Sequence, residues 1–229
     1  SKPYILLNYD GKLQDVFTVI HEMGHSMHSY YTRKTQPYTY GDHSIFTAEV
    51  ASTVNESLLI QHLLKTEKDP EMRKYLINFY IEEFRTTLFR QTMFAEFELN
   101  IGRMVAEGKT LTADLLCSEY KKLNELYYGH DIVVDDEIAM EWARIPHFYR
   151  AFYVYKYATG IVSAISIAER IYNEGAPAVE DYFRFLSSGG SDSPVELLKL
   201  AGVDLTRMDA FNAAMASFKD ALEQFEALE

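Results

Sequence analysis

The sequence contains one cysteine, Cys117, in 229 residues. A single thiol excludes an internal disulfide and any thiolate metal cluster within the chain, and it suits a reducing, cytoplasmic setting. Glycine and proline are scarce, at 11 and 6, and no Ser/Gly/Pro-rich stretch or internal repeat marks a linker or an array. No apolar run approaches the ~20 residues a membrane-spanning helix needs, so a membrane role is not expected, and no charged-then-apolar leader is present. The chain opens on Ser1, not Met, and soon enters an apolar run. It therefore reads as a piece of a longer protein, and the missing leader carries no weight. Positive charge is also short: 22 Lys and Arg stand against 34 Asp and Glu, a net charge of −12. Nucleic-acid binding calls for the opposite sign and is disfavoured. Acidity of this kind mostly keeps a protein soluble.

What the sequence does have is 48% hydrophobic residues, enough to bury a sizeable core. Pro3 to Tyr9 (PYILLNY), closed by Asp10-Gly11, has the pattern of a short strand and turn. A lone strand leaves its backbone groups unpaired, so its partner is expected outside the chain or in a substrate. Nearly everything after it has helical spacing. Helices are expected over Val16–Tyr31, Ile45–Leu64 with Thr47 as an N-cap, and Pro70–Glu107. Further helices are expected over Thr112–Tyr127, Asp135–Trp142, His147–Glu174, Ala178–Leu186, Pro194–Leu200 and Arg207–Ala227. The expected fold is all-α, with one short N-terminal edge strand.

The chemistry concentrates in VFTVIHEMGHSMH, Val16 to His28. On a helix, His21 and His25 are one turn apart on one face and can offer imidazole nitrogens to a single ion. Glu22 lies about 100° round the helix, poorly placed as a ligand but well placed to act as a base on water. Zinc with three protein ligands and an open position lowers the pKa of water to roughly 7, and a carboxylate can then relay its proton to the leaving amine. Gly24 costs up to ~1 kcal/mol inside a helix relative to Ala, which suggests a close-packed neighbour. A metzincin pattern would need Gly at position 28 and His at position 31, where this chain has His28 and Tyr31. The third ligand is then a carboxylate from the following helix, IFTAEVASTVNESLL, which offers Glu49 and Glu56. They are seven apart and share a face, so spacing leaves both open as ligand or as hydrogen-bonding partner of a ligand histidine.

HEMGHSMH, FTAEVASTVNE and ARIPHFYRAFYVYKYATG together resemble the oligoendopeptidase F family, relatives of thimet oligopeptidase and neurolysin, and the likeness runs along essentially the whole chain. The resemblance implies one zinc ion held by His21, His25 and Glu49, with Glu22 as base and Glu56 and His28 behind the ligands or in the wall. It implies a mostly helical enzyme whose site lies at the floor of a channel admitting short peptides. Family members carry a large helical region before the motif, so residues 1–229 correspond to the C-terminal catalytic portion. Its own N-terminal region is then a partner that this sequence lacks.

Seventeen tyrosines and 14 phenylalanines suggest packing, and Phe79, Phe84, Phe89, Phe94 and Phe97 fit that reading. IPHFYRAFYVYKYATG differs, with five polar-tipped rings in eleven residues. Tyr149, Tyr153 and Tyr157 form one stripe on a continuous helix. A developing oxyanion needs a donor, and the resemblance implies a histidine and tyrosines here: His147 and Tyr155 first, then Tyr149 and Tyr153. Tyr157 and Tyr9 are expected to contact substrate, Tyr9 through strand pairing with an extended peptide. Asp135, Asp136, Glu137 and Glu141 read as a solvated helix start, and His43, His62 and His130 as ordinary polar residues. The competing reading is a catalytically silent, helical peptide-binding module derived from such an enzyme. The intact His21, Glu22, His25 and Glu49 argue against that decay. A peptidase trimming from one chain end would need a charge-reading pocket, and none is identifiable.

Overall fold

A computed structural model of the chain describes residues 3–228. Its helices are α1 (Leu13–Thr35), α2 (Ile45–Thr66), α3 (Pro70–Glu83), α4 (Arg90–Ala106), α5 (Ala113–Tyr128), α6 (Tyr155–Glu174), α7 (Ala176–Leu186), α8 (Pro194–Leu200) and α9 (Asp209–Glu226). A π-helical segment, Phe84–Phe89, follows α3, and 3-10 turns occupy Tyr38–Tyr40, Ile138–Arg144 and Pro146–Tyr149. No helix among the described residues is long and apolar enough to cross a membrane. The chain divides into two compact units, one formed by residues up to Glu83 and from Thr159 onward, the other by Phe84–Ala158.

The all-α expectation is met, but the edge strand is not formed. Residues 3–10 belong to no helix or strand, and Tyr4, Leu6 and Tyr9 are exposed. No other described segment is a strand that could receive their backbone hydrogen bonds. The single helix expected over Pro70–Glu107 is divided into α3 and α4 by the π-helical segment Phe84–Phe89, and two further expected helices differ. The run from Asp135 to Trp142 is a 3-10 turn beginning at Ile138, and the run from His147 is a 3-10 turn that ends before α6 starts at Tyr155. Phe152, with φ of 50°, reverses the backbone between them.

In the first unit, α1 packs along α2. The start of α1 is held by Asp15, whose carboxylate accepts from the backbone N–H groups of Asp10 and Lys12, both at 2.9 Å. Arg33 and Lys34 in its last turn suit the negative end of the helix dipole. At the head of α2 the cap position is Ser44, not Thr47, whose hydroxyl instead donates back to the Ser44 carbonyl at 3.0 Å. α1 approaches α2 closely at Gly24, where a Cβ would meet the Ser52 Cα at 2.5 Å and the Ala51 carbonyl oxygen at 2.6 Å. Asn55 Nδ2 donates across the same interface to the Ile20 carbonyl at 3.3 Å. The Tyr182 hydroxyl of α7, a helix that also packs on α1, donates to that same Ala51 carbonyl at 3.2 Å. Val50, Ala51 and Val54 are wholly buried between these layers.

At the C-terminal end of α1, His28 is 1% exposed. Its ring stacks on His43 with centroids 3.8 Å apart and lies 5.3 Å from Phe185. Burial first, then the neighbouring His43 and His25, push its pKa down from 6.5 to about 3. The second unit has its own core of Met93, Phe94, Phe97, Tyr120, Leu123, Ile145 and Val154, with Trp142 and Phe148 packed against it. At the head of α5, the Thr112 hydroxyl oxygen accepts from the Leu115 N–H at 3.3 Å and caps the helix.

Gly24→Ala is expected to lose about 1–3 kcal/mol through backbone overlap, read as a lower Tm. Gly102→Ala, on an open face of α4, is expected to be neutral or stabilising; equal effects would contradict the close approach. Because the folded chain holds His28 neutral while the unfolded chain protonates it near 6.5, stability is full above that pH and is lost progressively as pH falls towards 3. His28→Leu should flatten this part of the Tm-versus-pH curve, and an equally steep fall in the variant would exclude His28 as the cause.

Candidate metal centre

One turn of α1 separates His21 from His25, and their rings stand edge to face with centroids 4.8 Å apart. From α2, Glu49 Oε2 approaches both, at 3.7 Å from His21 Nε2 and 4.0 Å from His25 Nε2. One ligand atom from each of His21, His25 and Glu49 lies within 4.8 Å of the others, an arrangement able to hold a metal ion. The other side of the His21 ring faces Glu56, with Nδ1 3.2 Å from Oε1. With Nδ1–H donated to Glu56, the Nε2 lone pair of His21 is left facing Glu49 and His25.

Glu49 is held by its own helix and by α6. The Ser52 hydroxyl donates to the Glu49 carbonyl at 3.0 Å and lies 3.5 Å from Glu49 Oε2. Gly160 of α6 brings bare backbone beside Glu49, where a Cβ would touch the Glu49 Cβ at 3.6 Å. Glu22, the residue after His21, is partly exposed.

The electrostatics divide the two histidines. Burial disfavours charge on His21, but the hydrogen bond and charge of Glu56, with Glu49 and Glu22 nearby, outweigh it and raise the pKa. At His25, burial and the neighbouring His21 prevail over Glu49, Glu22 and Glu56, and the pKa falls. A neutral His25 is the form that donates a lone pair to a metal.

Two neighbours went unnoticed in the sequence. Glu83, at the end of α3, lines a narrow apolar pocket together with Glu56, Phe17, Ile60, Phe79 and Ile161. Burial first, then repulsion from Glu56, raise its carboxyl to about 7 against the pull of His21. No motif marks Glu83; only the packing of α3 on α2 brings it there. His43, read as an ordinary polar residue, stacks on His28. Its histidine spacing carries no signal, because the two residues come from a helix and the loop after it.

In the second unit, His147 gathers with Tyr153 and Tyr157. Their ring centroids lie 5.6 and 5.9 Å from that of His147, and the Tyr157 hydroxyl is 3.4 Å from His147 Nε2. The expected stripe of Tyr149, Tyr153 and Tyr157 does not form, because the backbone reversal at Phe152 interrupts the helix that would align it. Tyr149 is 86% exposed, and Tyr155 stands in the first turn of α6 with Lys156 Nζ 5.3 Å from its ring. The acidic group is also divided. Asp135 caps Ile138 at 2.9 Å and Asp136 pairs with Lys121 at 2.5 Å, as at a solvated helix start. Glu141 is instead buried, bonded to Arg90, Arg144 and the Tyr120 hydroxyl.

The sequence pattern of Peptidase family M3 matches residues 1–217. Identity to "Oligopeptidase PepF" of Bacillus subtilis (strain 168) is 50% over 228 residues, covering 100% of this chain and 34% of that protein. For "Oligoendopeptidase F, chromosomal" of Lactococcus lactis subsp. cremoris, identity is 45% over 228 residues, covering 100% of this chain and 38% of the relative. The crystal structure of oligoendopeptidase-F from Enterococcus faecium superposes with a TM-score of 0.84 at 45% identity, over 94% of this chain and 39% of the solved one. The chain thus spans little more than a third of the length of these relatives. Matched from its first residue into α9, the chain belongs to peptidase family M3.

Proposed function

We propose that the chain carries the catalytic centre of a zinc-dependent endopeptidase acting on short oligopeptides. The observation that carries this reading is the convergence of one ligand atom each from His21, His25 and Glu49 within 4.8 Å, Glu49 Oε2 lying 3.7 Å from His21 Nε2 and 4.0 Å from His25 Nε2, with Glu22 on the turn between the two histidines. Two imidazole nitrogens and one carboxylate are a donor set suited to zinc, whereas calcium and magnesium favour oxygen alone. His21, His25 and Glu49 would hold the zinc ion, which when bound would supply Lewis-acid polarisation of a carbonyl and lower the pKa of water to about 7. Glu22 takes the proton of the attacking water and returns it to the leaving amine as the C–N bond breaks. Glu56, accepting from His21 Nδ1, fixes the orientation of that ring.

In the second unit, the His147 imidazole and the hydroxyls of Tyr153 and Tyr157 are donors suited to the carbonyl groups of a bound peptide. Tyr155, expected first with His147, and the exposed Tyr149 stay candidates for the same role, and Tyr9 gains a strand partner only when an extended peptide supplies it. The names of the relatives, an oligopeptidase and an oligoendopeptidase, support short peptides as the substrate class. The additional length of those relatives supports a further region that completes the substrate channel. A single, partly buried Cys117 is compatible with a cytoplasmic setting.

Metal analysis of the full-length enzyme is expected to find one zinc per chain in wild type and in Glu22→Gln, and none retained in Glu49→Ala. Glu56→Gln should bind zinc about 10–100-fold more weakly. Tight zinc in Glu49→Ala with none in Glu56→Ala would reverse the two carboxylates. On an internally quenched peptide, Glu22→Gln is expected to lower kcat by about 10²–10⁴; undiminished turnover would remove Glu22 from the reaction.

A further inference from the structure

Among the described residues, Phe152 is the one non-glycine residue with positive φ, at 50°. A bulky side chain holds that left-handed conformation only where its surroundings impose it. Both polar groups of the Phe152 backbone are held. The N–H donates to Glu98 Oε1 at 3.1 Å, and the carbonyl accepts from Lys156 Nζ at 3.1 Å. Glu98 comes from α4, 54 residues earlier, and is 8% exposed. A carboxylate is seldom buried so deeply without a strong partner. Glu98 Oε2 is buried with no hydrogen bond, so the bond its other oxygen accepts from the loop is the distinctive feature of its placement. Burial raises the Glu98 pKa, and the Phe152 N–H and the Lys156 ammonium act against that rise.

The reversal decides which rings meet. On an uninterrupted helix, Tyr153 and Tyr157 would lie roughly 240° and 280° round the axis from His147, away from its face. In the structure, Tyr153 stacks on His147 at 5.6 Å and the Tyr157 hydroxyl reaches to 3.4 Å from Nε2. We propose that Glu98 is a positioning residue, whose carboxylate holds the strained Phe152 peptide and thereby sets His147 against Tyr153 and Tyr157. Its effect on turnover rests on the reading that this cluster serves the peptidase reaction; its effect on the cluster's geometry does not.

The test uses the full-length enzyme with ¹⁵N-labelled histidine, following the His147 imidazole resonances by NMR alongside kcat, KM and zinc content. Glu98→Ala is expected to move the His147 resonances and lower kcat about tenfold, with zinc content unchanged and KM shifted less than about threefold. Phe152→Gly accepts a left-handed φ freely, so it should leave the resonances in place. In the double variant it should restore both them and kcat to within about threefold of wild type. Simple loss of packing at Glu98 would not be repaired by a glycine at position 152. Unmoved resonances in Glu98→Ala, or no recovery in the double variant, would overturn the positioning role. Resonances that move and recover while kcat never changes would uphold that role and overturn the catalytic reading of the cluster. If Glu98→Ala alone does not fold, the double variant decides: a folded protein with wild-type His147 resonances supports the role, and a failure to fold overturns it.

Discussion

Where α1 crosses α2, the absence of a side chain on Gly24 lets two backbones come closer than any other residue would allow. A Cβ there would fall 2.5 Å from the Ser52 Cα, well inside van der Waals contact. Two hydrogen bonds hold the crossing, Asn55 reaching the Ile20 carbonyl and Tyr182 reaching the Ala51 carbonyl beside Gly24. Gly24 lies between His21 and His25 in sequence, and its contact on α2 falls between Glu49 and Glu56. The one close approach therefore determines which carboxylate meets which edge of the histidine pair. Glu49 faces the Nε2 atoms and Glu56 faces His21 Nδ1.

That geometry concentrates negative charge. Glu22, Glu49 and Glu56 all act on two histidines, of which one is driven towards protonation and the other away from it. Glu83, in an apolar cavity with Glu56, has its carboxyl raised to about 7. Carboxylates crowded into a partly buried region repel each other unless a cation or a proton intervenes. A divalent ion at His21, His25 and Glu49 would supply that compensation where the acidic groups converge. In the proposed reaction Glu49 would serve as ligand, Glu56 as ring orienter and Glu22 as base, roles that follow from where each carboxylate stands and not from any difference in their chemistry.

Much of this was legible in the sequence, and the exceptions have physical causes. The histidine spacing, the glutamate between them and the glycine follow from local helix geometry, so a short stretch of sequence carries them. Glu49 and Glu56 could not be ranked by spacing, since seven residues return to the same helix face. What separates them is the position of a tertiary crossing. The resemblance of the surrounding motifs favoured Glu49, as does the arrangement of the ring nitrogens. The segment after His147 misled because Tyr149, Tyr153 and Tyr157 keep helical periodicity while the backbone does not. Its reversal depends on a non-glycine residue at positive φ and on a carboxylate 54 residues away, and neither leaves a local signature. PYILLNY has strand composition without a strand beside it, and composition cannot provide the partner.

The central claim is that the α1–α2 crossing presents three ligand atoms to one zinc ion, with Glu56 behind the first histidine. It is tested most directly by a crystal structure of the zinc-loaded full-length enzyme with anomalous data collected at the zinc edge. The account predicts a single peak about 2.0–2.2 Å from His21 Nε2, His25 Nε2 and a Glu49 carboxylate oxygen, with Glu56 hydrogen-bonded to His21 Nδ1. A peak bound to Glu56 in place of Glu49, or one that leaves either histidine out, would contradict it.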